Sequence, residues 1–476
     1  MFLQHIYERE LAQASYLVGC QATGEAIVID PRRDSDVYLR AAREAGLTIR
    51  YVTETHIHAD FLSGARELAA ATGAELLLSD EGGDSWQYRF PHRGLHDGDV
   101  FSVGRLRFEV WHTPGHTPEH ISFLLTDTAA GAYPAMIFTG DFVFVGDVGR
   151  PDLLEEAAGL VGSSEPSARQ LFASLRRFRT LPDYIQLWPG HGAGSACGKA
   201  LGAVPASTVG YEKLVNWALQ YTDEEAFVRA LLSGQPEAPR YFAVMKRLNR
   251  EGPPLLGKLP RPPRLSAAQA LAQLDAGTVL VDTRDKTAFA RGHVPGSLHI
   301  ADNGSFTTWA GWMLSYDRPF LLLAGERRIE DLTRSLIRIG LDNIAGYVTD
   351  LSFWTAAGRP LVTLNVITAA ELRRRLAADE VVVVDVRNQS EYAEGHIPGA
   401  HKFMVGQLPD HLDEVRRLAA SGRPLVVHCA VGDRASLAVS YLLGQGIADV
   451  LYFPGGMQEW QRAGYPVVNG ADGRSG

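Results

Sequence analysis

Cysteine is scarce in this chain. Three occur among 476 residues, and they are Cys20, Cys197 and Cys429. An odd number of widely spaced cysteines does not build a disulfide framework, so we expect reduced thiols. Cys20 lies in the apolar run SYLVGCQ, which favours a structural role in a strand.

Long apolar runs and basic runs are also missing. No apolar stretch approaches the ~20 residues that a membrane-crossing helix needs. The N-terminus, MFLQHIYERE, lacks the apolar core of a secretory signal. Without a Lys/Arg-rich run, and with a formal net charge of −9, nucleic acid is not an expected partner. We therefore expect a cytoplasmic protein with no membrane partner, and no sequence pattern indicates whether it forms a homo-oligomer.

The sequence patterns divide the chain into four segments, since its length exceeds one ordinary core. Residues 1–252 alternate strand-like and helical runs, and His/Asp clusters follow the ends of strands. Residues 253–265 lie in a proline-rich stretch, which stiffens a connection and indicates a linker. Residues 266–364 and 365–470 each alternate Val/Leu-rich runs with helical segments. Such runs are typical of strands buried in a parallel sheet, so the predicted class is α/β and α+β multidomain.

The last two segments contain an internal repeat. VDTRDKTAFARGHVPGS begins at Val281, and VDVRNQSEYAEGHIPGA begins at Val384. The two stretches align without a gap, which predicts two copies of one domain of about 100 residues.

Four short motifs in the first segment carry residue types that bind metals. They are THIHADFLSG (55–64), HTPGH (112–116), FTGD (138–141) and PGHG (189–192). Imidazole and carboxylate groups hold a transition metal when several converge from different segments. The candidate residues are His56, His58, Asp60, His116, Asp141 and His191. Two histidines and one carboxylate suit non-haem Fe(II) but also catalytic Zn, so spacing leaves both metals open.

These motifs, in this order, resemble the metallo-β-lactamase fold over about residues 1–250. The resemblance implies an αββα sandwich, in which two β-sheets lie between helices. Sites of this superfamily usually hold two metals, and the second takes the histidine that follows the aspartate of HxHxDH. Phe61 stands at that position. A phenyl ring has no lone pair to donate, so we expect one metal per chain.

The motifs and the segment GDVGRPD are also similar to those of persulfide dioxygenases. That resemblance implies Fe(II) held by His56, His116 and Asp141. It places His58 and Asp60 outside the ligand set, where they would orient the ligands.

Three further residues are expected near this centre. His191 is expected to face substrate or a water network. Arg150 either holds a carboxylate of a thiol-bearing substrate or braces its loop. Cys197, in PGHGAGSACGK, either faces the metal pocket and touches a sulfur substrate or is a small residue of a Gly/Ala turn.

Cys429 follows the strand-like run LVVHC and opens a loop that closes at Arg434. Backbone N–H groups of such a loop, with a helix N-terminus behind them, favour a thiolate nucleophile. A buried core cysteine is the alternative interpretation. The loop and the PGGMQEW segment resemble rhodanese sulfurtransferases over about residues 366–470. The resemblance implies that Cys429 carries a persulfide sulfur and that Arg434 binds anionic donors.

The repeated motifs supply the scaffold that this resemblance implies. In the second copy the scaffold residues are Asp385, Arg387 and His396. Alignment of the first copy puts Ala324 at the position of Cys429, and residues 266–364 contain no cysteine. The first copy is therefore expected to be degenerate, with a spacer or docking role.

The whole architecture resembles the persulfide dioxygenase–sulfurtransferase fusion enzymes of sulfide detoxification. The resemblance implies Fe(II)-dependent oxidation by dioxygen of a glutathione or coenzyme A persulfide to sulfite and thiol. It also implies thiosulfate sulfurtransferase activity at Cys429. The alternative from another reaction class is a zinc thioester hydrolase similar to glyoxalase II. A sulfur-binding sensor or scaffold is the non-enzymatic alternative.

Overall fold

The computed structural model describes residues 1–153, 155, 162–199 and 201–470. The chain divides into two compact units. The first comprises Met1–Pro260 with Ile337–Gly340, and the other described residues form the second. Among the described residues, no helix is both long enough and apolar enough to cross a membrane.

The first unit is built on two sheets, each with six strands in the described part of the chain. The strands of the first sheet lie side by side in chain order. They are β1 (Phe2–Glu8), β2 (Gln13–Cys20), β3 (Glu25–Ile29), β4 (Thr48–Thr53), β5 (Glu75–Ser79) and β6 (Arg93–Leu95). The first three strands pair antiparallel and the rest pair parallel.

The second sheet has the order β12-β11-β10-β9-β8-β7. Its strands are β7 (Val100–Val103), β8 (Leu106–His112), β9 (Ile121–Asp127), β10 (Met136–Gly140), β11 (Gln186–Pro189) and β12 (Ser207–Thr208). Only β10 and β11 pair parallel within this sheet of described strands.

The helices of the first unit cover the outer faces of the sheets. Those that the structure describes are α1 (Asp36–Glu44), α2 (Ala65–Thr72), α3 (Ser164–Phe178), α4 (Val209–Val215), α5 (Glu224–Leu232) and α6 (Tyr241–Glu251). One core cluster lies between the sheets, a second lies under α1 and α2, and a third lies under α3. Every residue of β2 is buried because both faces of that strand are covered. The predicted αββα sandwich is therefore confirmed.

The second unit contains two parallel sheets, one for each copy of the repeat. The first has the order β14-β13-β15-β16, with strands β13 (Val279–Asp282), β14 (Leu298–His299), β15 (Phe320–Leu323) and β16 (Ile344–Val348). The second has the order β17-β21-β20-β18-β19, with strands β17 (Asn365–Val366), β18 (Val382–Asp385), β19 (His401–Lys402), β20 (Leu425–His428) and β21 (Val450–Phe453).

Helices follow the strands of both parallel sheets. In the first copy they are α7 (Ala267–Asp275), α8 (Lys286–Arg291), α9 (Phe306–Met313), α10 (Ile329–Arg338) and α11 (Ser352–Thr355). In the second copy they are α12 (Ala369–Ala377), α13 (Gln389–Glu394), α14 (Leu412–Ala419), α15 (Asp433–Gly444) and α16 (Gly456–Arg462). The central strands β15, β18 and β20 are buried throughout, as expected for parallel strands with helices on both faces.

The proline-rich stretch contains neither helix nor strand. The last helix of the first segment ends at Glu251, and the next helix begins at Ala267. Ser266 caps that helix by accepting a hydrogen bond from the backbone N–H of Gln269, while the Gln269 side chain accepts from Ser266 in return.

Candidate metal and sulfur-transfer sites

The candidate metal ligands lie in loops that leave the strands at one end of the sandwich. His56 follows β4, His116 follows β8, and Asp141 comes directly after β10. His191 follows β11, which pairs parallel with β10. The strands are buried and rigid, so they hold loop residues that are distant in sequence at defined positions in one place.

His56, His116 and Asp141 converge, each offering one ligand atom within 4.8 Å of the others. Nε2 of His56 lies 3.8 Å from Oδ2 of Asp141, and Nε2 of His116 lies 3.6 Å from the same oxygen. All three residues are buried. This is the set that the persulfide dioxygenase resemblance implies for a metal.

Both histidines of this set are oriented through Nδ1. Nδ1 of His116 donates to the carbonyl oxygen of Arg150 at 2.9 Å. Nδ1 of His56 lies 3.0 Å from Oγ1 of Thr55, which itself donates to Asp30. Burial lowers the pKa of each imidazole well below its ordinary value. The rings are therefore neutral, and each Nε2 keeps a lone pair for a metal.

The environment of Asp141 suits a carboxylate that binds a cation. Neither carboxylate oxygen has a hydrogen-bond partner among the described residues, although the side chain is fully buried. Burial raises its pKa to about 6. Because an unpaired buried carboxylate is costly, the donor set fits a bound metal ion.

His58 points into a different cluster. Its Nε2 lies 3.1 Å from Oδ1 of Asp30 and 2.9 Å from Oε2 of Glu54. Burial alone lowers its pKa, but the two carboxylates outweigh burial and raise the pKa well above the ordinary value. An imidazolium held between two carboxylates has no free lone pair at Nε2, so His58 supports the loop that carries the ligands.

Phe61 forms a wall of this region. Its side chain is fully buried, and its ring centroid lies 4.3 Å from that of His58. Its carbonyl oxygen accepts a hydrogen bond from Nδ2 of Asn249, which also donates to the carbonyl oxygen of His58. Asn249 of α6 thus holds the backbone of the loop that carries His58 and Phe61. The Phe61 ring contributes packing only.

Asp60, His191 and Cys197 form a second buried group of possible metal ligands beside the first. Nε2 of His191 lies 3.3 Å from Oδ2 of Asp60 and 3.5 Å from Oδ1 of Asp141. Burial raises the pKa of the Cys197 thiol well above its ordinary value. Cys197 thus lies beside Asp60 and His191, and its contact with a sulfur substrate stays a prediction.

Arg150 is fully buried, and its guanidinium already has partners within the protein. It forms an ion pair with Asp152 and donates to the carbonyl oxygens of Ala196 and Pro236. Its own carbonyl oxygen accepts from His116. The geometry favours the bracing role over a direct hold on substrate.

Sequence reasoning missed three residues that shape this site. His120 accepts at Nε2 from the backbone N–H of Asp141 and lies 2.8 Å through Nδ1 from Oγ1 of Thr113. Lys246 and Asn249 lie on the buried face of α6. His120 belongs to a histidine-rich stretch that could have indicated its role. The two α6 residues carry no local signal, and Asn249 is 191 positions from His58, whose backbone it contacts.

The Cys429 loop lies between β20 and α15. The backbone N–H of Gly432 donates to Sγ of Cys429 at 3.1 Å. Gly432 has φ 96°, and a Cβ there would lie 2.5 Å from the carbonyl oxygen of Pro454, so glycine is required. The helix begins at Asp433 rather than after Arg434. Its N-terminus therefore lies directly behind the thiol, an arrangement that stabilises an anion.

Arg434 does not present a free guanidinium in this conformation. It forms two hydrogen bonds to the carboxylate of Glu391, at 2.5 and 2.7 Å. Burial alone raises the pKa of Glu391, but the bonds from Arg434 hold it below the ordinary value of 4.5. The expected anion-binding role therefore requires Arg434 to share or exchange this partner.

The scaffold residues occupy equivalent places in the two copies. Arg387 binds the carboxylate of Asp385 and the carbonyl oxygen of Gly395. The ring of His396 stacks on Tyr392, with centroids 3.7 Å apart. Arg284, Asp282 and Gly292 repeat the first arrangement, and His293 and Phe289 repeat the second.

Ala324 follows β15 just as Cys429 follows β20, so it takes the place of the nucleophile in the first copy. This copy nevertheless reaches the active loop of the second. Nζ of Lys286 donates to the carbonyl oxygen of Val431 at 2.6 Å and lies 2.7 Å from Oδ2 of Asp433. Nδ1 of His299 lies 2.8 Å from Oγ of Ser436 on α15.

A cavity of about 450 Å³ opens between the two copies. His299 and Trp309 line it from the first copy, and Asp433, Arg434 and Leu437 line it from the second. The start of α15 therefore faces a space large enough for a small molecule.

Comparison with known families agrees with this architecture. The model of the metallo-beta-lactamase superfamily matches residues 9–191, and that of the rhodanese-like domain matches residues 266–357 and 368–463. The fold and the converging ligands thus define a metal-dependent enzyme of the metallo-beta-lactamase type, followed by rhodanese-like domains. The chain belongs to the metallo-beta-lactamase superfamily and carries two rhodanese-like domains after that part.

Particular relatives sharpen this assignment. A solved metallo-beta-lactamase from Staphylococcus aureus subsp. aureus COL is 45% identical, with a TM-score of 0.66, over 73% of this chain and 98% of that chain. A hydroxyacylglutathione hydrolase of Rhodospirillum rubrum is 36% identical over 37% of this chain and 60% of its own length. The mitochondrial persulfide dioxygenase of Bos taurus is 28% identical over 48% of this chain and 80% of its own length. The chain thus spans less than two thirds of the hydrolase.

Proposed function

We propose that this protein oxidises a low-molecular-weight thiol persulfide with dioxygen and transfers sulfane sulfur through Cys429. The observation that carries the proposal is the presence of both sites on one chain: a buried His56–His116–Asp141 set and a cysteine held at a helix N-terminus. Likeness to a persulfide dioxygenase and to rhodanese-like domains supports sulfur compounds as substrates.

The first half-reaction consumes one persulfide, one dioxygen and one water. The bond between the two sulfurs breaks, the outer sulfur is oxidised to sulfite by four electrons, and dioxygen accepts them. The inner sulfur leaves as the thiol, and glutathione and coenzyme A persulfides are the proposed substrates.

His56, His116 and Asp141 would hold one Fe(II), which supplies the electron-transfer chemistry that dioxygen requires. The protein's own part is orientation. The carbonyl oxygen of Arg150 fixes the tautomer of His116, and His120 holds the backbone of Asp141. The burial of these groups excludes bulk water from the persulfide.

The second half-reaction forms a persulfide on Cys429. A sulfane sulfur passes from thiosulfate or a small persulfide to Sγ, and the donor leaves as sulfite or thiol. The terminal sulfur then passes to sulfite or to another thiol. Linking both sites in one chain raises the local concentration of sulfite at Cys429.

The proposed domains follow the sequence boundaries. Residues 1–252 would form the dioxygenase and residues 365–470 the sulfurtransferase. Residues 266–364 would form a catalytically inactive copy that docks on the active loop, and residues 253–265 would link it to the dioxygenase. The contact of Lys286 with Val431 supports docking over a spacer role.

Oxygen uptake tests the first half-reaction. The protein is loaded anaerobically with Fe(II), and glutathione persulfide is added in the presence of dissolved oxygen. We expect persulfide-dependent oxygen consumption and, for each dioxygen, one sulfite that is either free or converted to thiosulfate. No oxygen consumption with protein that contains one iron per chain would exclude this function.

Cys429→Ser tests the second half-reaction. We expect the variant to lose thiosulfate sulfurtransferase activity and to keep oxygen uptake. Cys20→Ser is the matched control, since Cys20 lies in β2 of the other unit. Normal sulfur transfer by Cys429→Ser would rule out the assignment.

A zinc-dependent thioester hydrolase is the second candidate. It is favoured by the Asp60–His191–Cys197 group, which offers ligands for a second metal, and by the likeness to a hydroxyacylglutathione hydrolase. Phe61 opposes it, because the usual histidine ligand is missing. Stoichiometric zinc together with thioesterase activity would overturn the persulfide dioxygenase proposal.

A further inference from the structure

Helix α6 lies over the loop that carries the first metal-binding motif. Its Asn249 donates to the carbonyl oxygens of His58 and Phe61, both at 2.8 Å, and accepts from the backbone N–H of Ser63. Lys246 precedes Asn249 by three residues and therefore lies on the same face of the helix. It is 6% exposed, which is unusual for lysine.

The ammonium of Lys246 has no hydrogen-bond acceptor among the described residues. It lies 4.9 Å from the ring centroid of Trp86. Trp86 belongs to a small buried cluster with Ile57, the residue between the two histidines of the motif, and with Tyr88. The hydroxyl of Tyr88 is also buried without a partner in the described part of the chain.

The charges around Lys246 keep it protonated. Burial lowers its pKa to about 8, while the carboxylates of Glu119 and Asp141 oppose this shift. One oxygen of Glu119 accepts from the backbone N–H of Ile57, and no ion pair joins this residue to Lys246 in the described structure. A buried cation without an acceptor is costly, so its presence indicates that an anion completes the site.

We propose that Lys246 and Tyr88 form an oxyanion subsite beside the metal centre, and that its ligand is sulfite. The inference rests on the proposed function, in which sulfite is the product released there. Sulfite offers several oxygens to two donors, the ammonium and the phenol. The indole ring of Trp86 also stabilises the cation.

Anaerobic calorimetric titration of sulfite into the iron-loaded full chain tests the subsite. All proteins carry Cys429→Ser, so sulfur transfer does not contribute and the second unit is identical throughout. We expect Lys246→Met to weaken binding at this site at least about ten-fold, since it removes a charged donor from a buried site. Lys246→Arg keeps the charge and should retain measurable binding there.

Arg247→Met is the matched control. Arg247 adjoins Lys246 but is exposed and pairs with Glu251 on the surface, so its loss should leave sulfite binding unchanged. Tyr88→Phe preserves the buried shape and removes the hydroxyl alone. We expect it to weaken binding about three-fold, and it decides the matter if Lys246→Met does not fold.

If Lys246→Met folds and binds sulfite as tightly as the parent protein, the subsite proposal is wrong. If only Tyr88→Phe folds, undiminished sulfite binding by that variant has the same consequence. Failure of the proposed function has a different signature, because the titration contains no persulfide and no oxygen. Lys246-dependent sulfite binding without persulfide-dependent oxygen uptake would keep the subsite and reject the dioxygenase.

Discussion

Lys286 and Asp433 form an ion pair between the two rhodanese-like copies, with Nζ 2.7 Å from Oδ2. The same ammonium binds the carbonyl oxygen of Val431 within the Cys429 loop. A copy without a nucleophile therefore holds the loop that contains one.

We predict that Lys286→Met slows sulfur transfer up to about five-fold, as expected for the loss of a partly exposed ion pair. The variant loses the contact that holds Val431, so the effect should appear in kcat for thiosulfate sulfurtransferase activity. Lys286→Arg should restore most of the rate, and oxygen uptake should not change.

Arg291→Met serves as the control for charge, because it removes a cation from the last turn of the same helix without touching the loop. Equal rates for Lys286→Met and Arg291→Met would contradict a positioning role for Lys286.

Substitution of His116 should reduce metal binding, whereas substitution of His58 should reduce the stability of the fold. We predict that His116→Ala lowers bound iron to below about a tenth of an equivalent while the protein stays folded, because a ligand is lost. His58→Ala should destabilise the fold by about 3–5 kcal/mol, because Asp30 and Glu54 lose the buried cation that they share.

Elemental analysis and thermal unfolding separate the two effects. Iron loss in folded His58→Ala that matches that in His116→Ala would show that His58 is itself a ligand. Unchanged iron in His116→Ala would remove the central member of the proposed set.

Phe61 should control the number of metals. We predict that Phe61→His raises the metal content from one to two per chain, because an imidazole joins Asp60 and His191. Phe61→Leu keeps an apolar side chain and should still hold one metal. Elemental analysis of proteins purified in parallel measures the count, and two metals in the wild type would refute the one-metal hypothesis.

Glu391 should contribute stability in a pH-dependent way. Its pKa in the folded state lies below the ordinary 4.5, because the bonds from Arg434 outweigh burial. A depressed carboxyl pKa stabilises the fold above the unfolded value, and this contribution disappears as the pH falls through the folded value.

We therefore predict that Glu391→Gln is less stable than the wild type at neutral pH and that the difference shrinks below pH 4.5. Chemical denaturation at a series of pH values measures this. A difference that stays constant through the acid range would exclude the ion pair as its cause.

The sequence alone determined which type of domain comes first in the chain and which type follows it. Strand-like runs and the gapless repeat at Val281 and Val384 are local signals, and each predicted an element that the structure contains. Phe61 was also readable without coordinates, because the absence of a lone pair is a property of the side chain itself.

Only the tertiary structure decided which side chains contact each candidate site residue. His58 is held by Asp30 and Glu54, whereas His56 faces Asp141, and no spacing in the motif predicts these pairings. Arg434 is occupied by Glu391, 43 residues away in the chain. Lys246 reaches the metal region through helix packing. The sequence states which residue types could bind a metal or an anion. Whether each group is charged, and whether it has a lone pair or a hydrogen available, depends on neighbours that only the folded chain brings together.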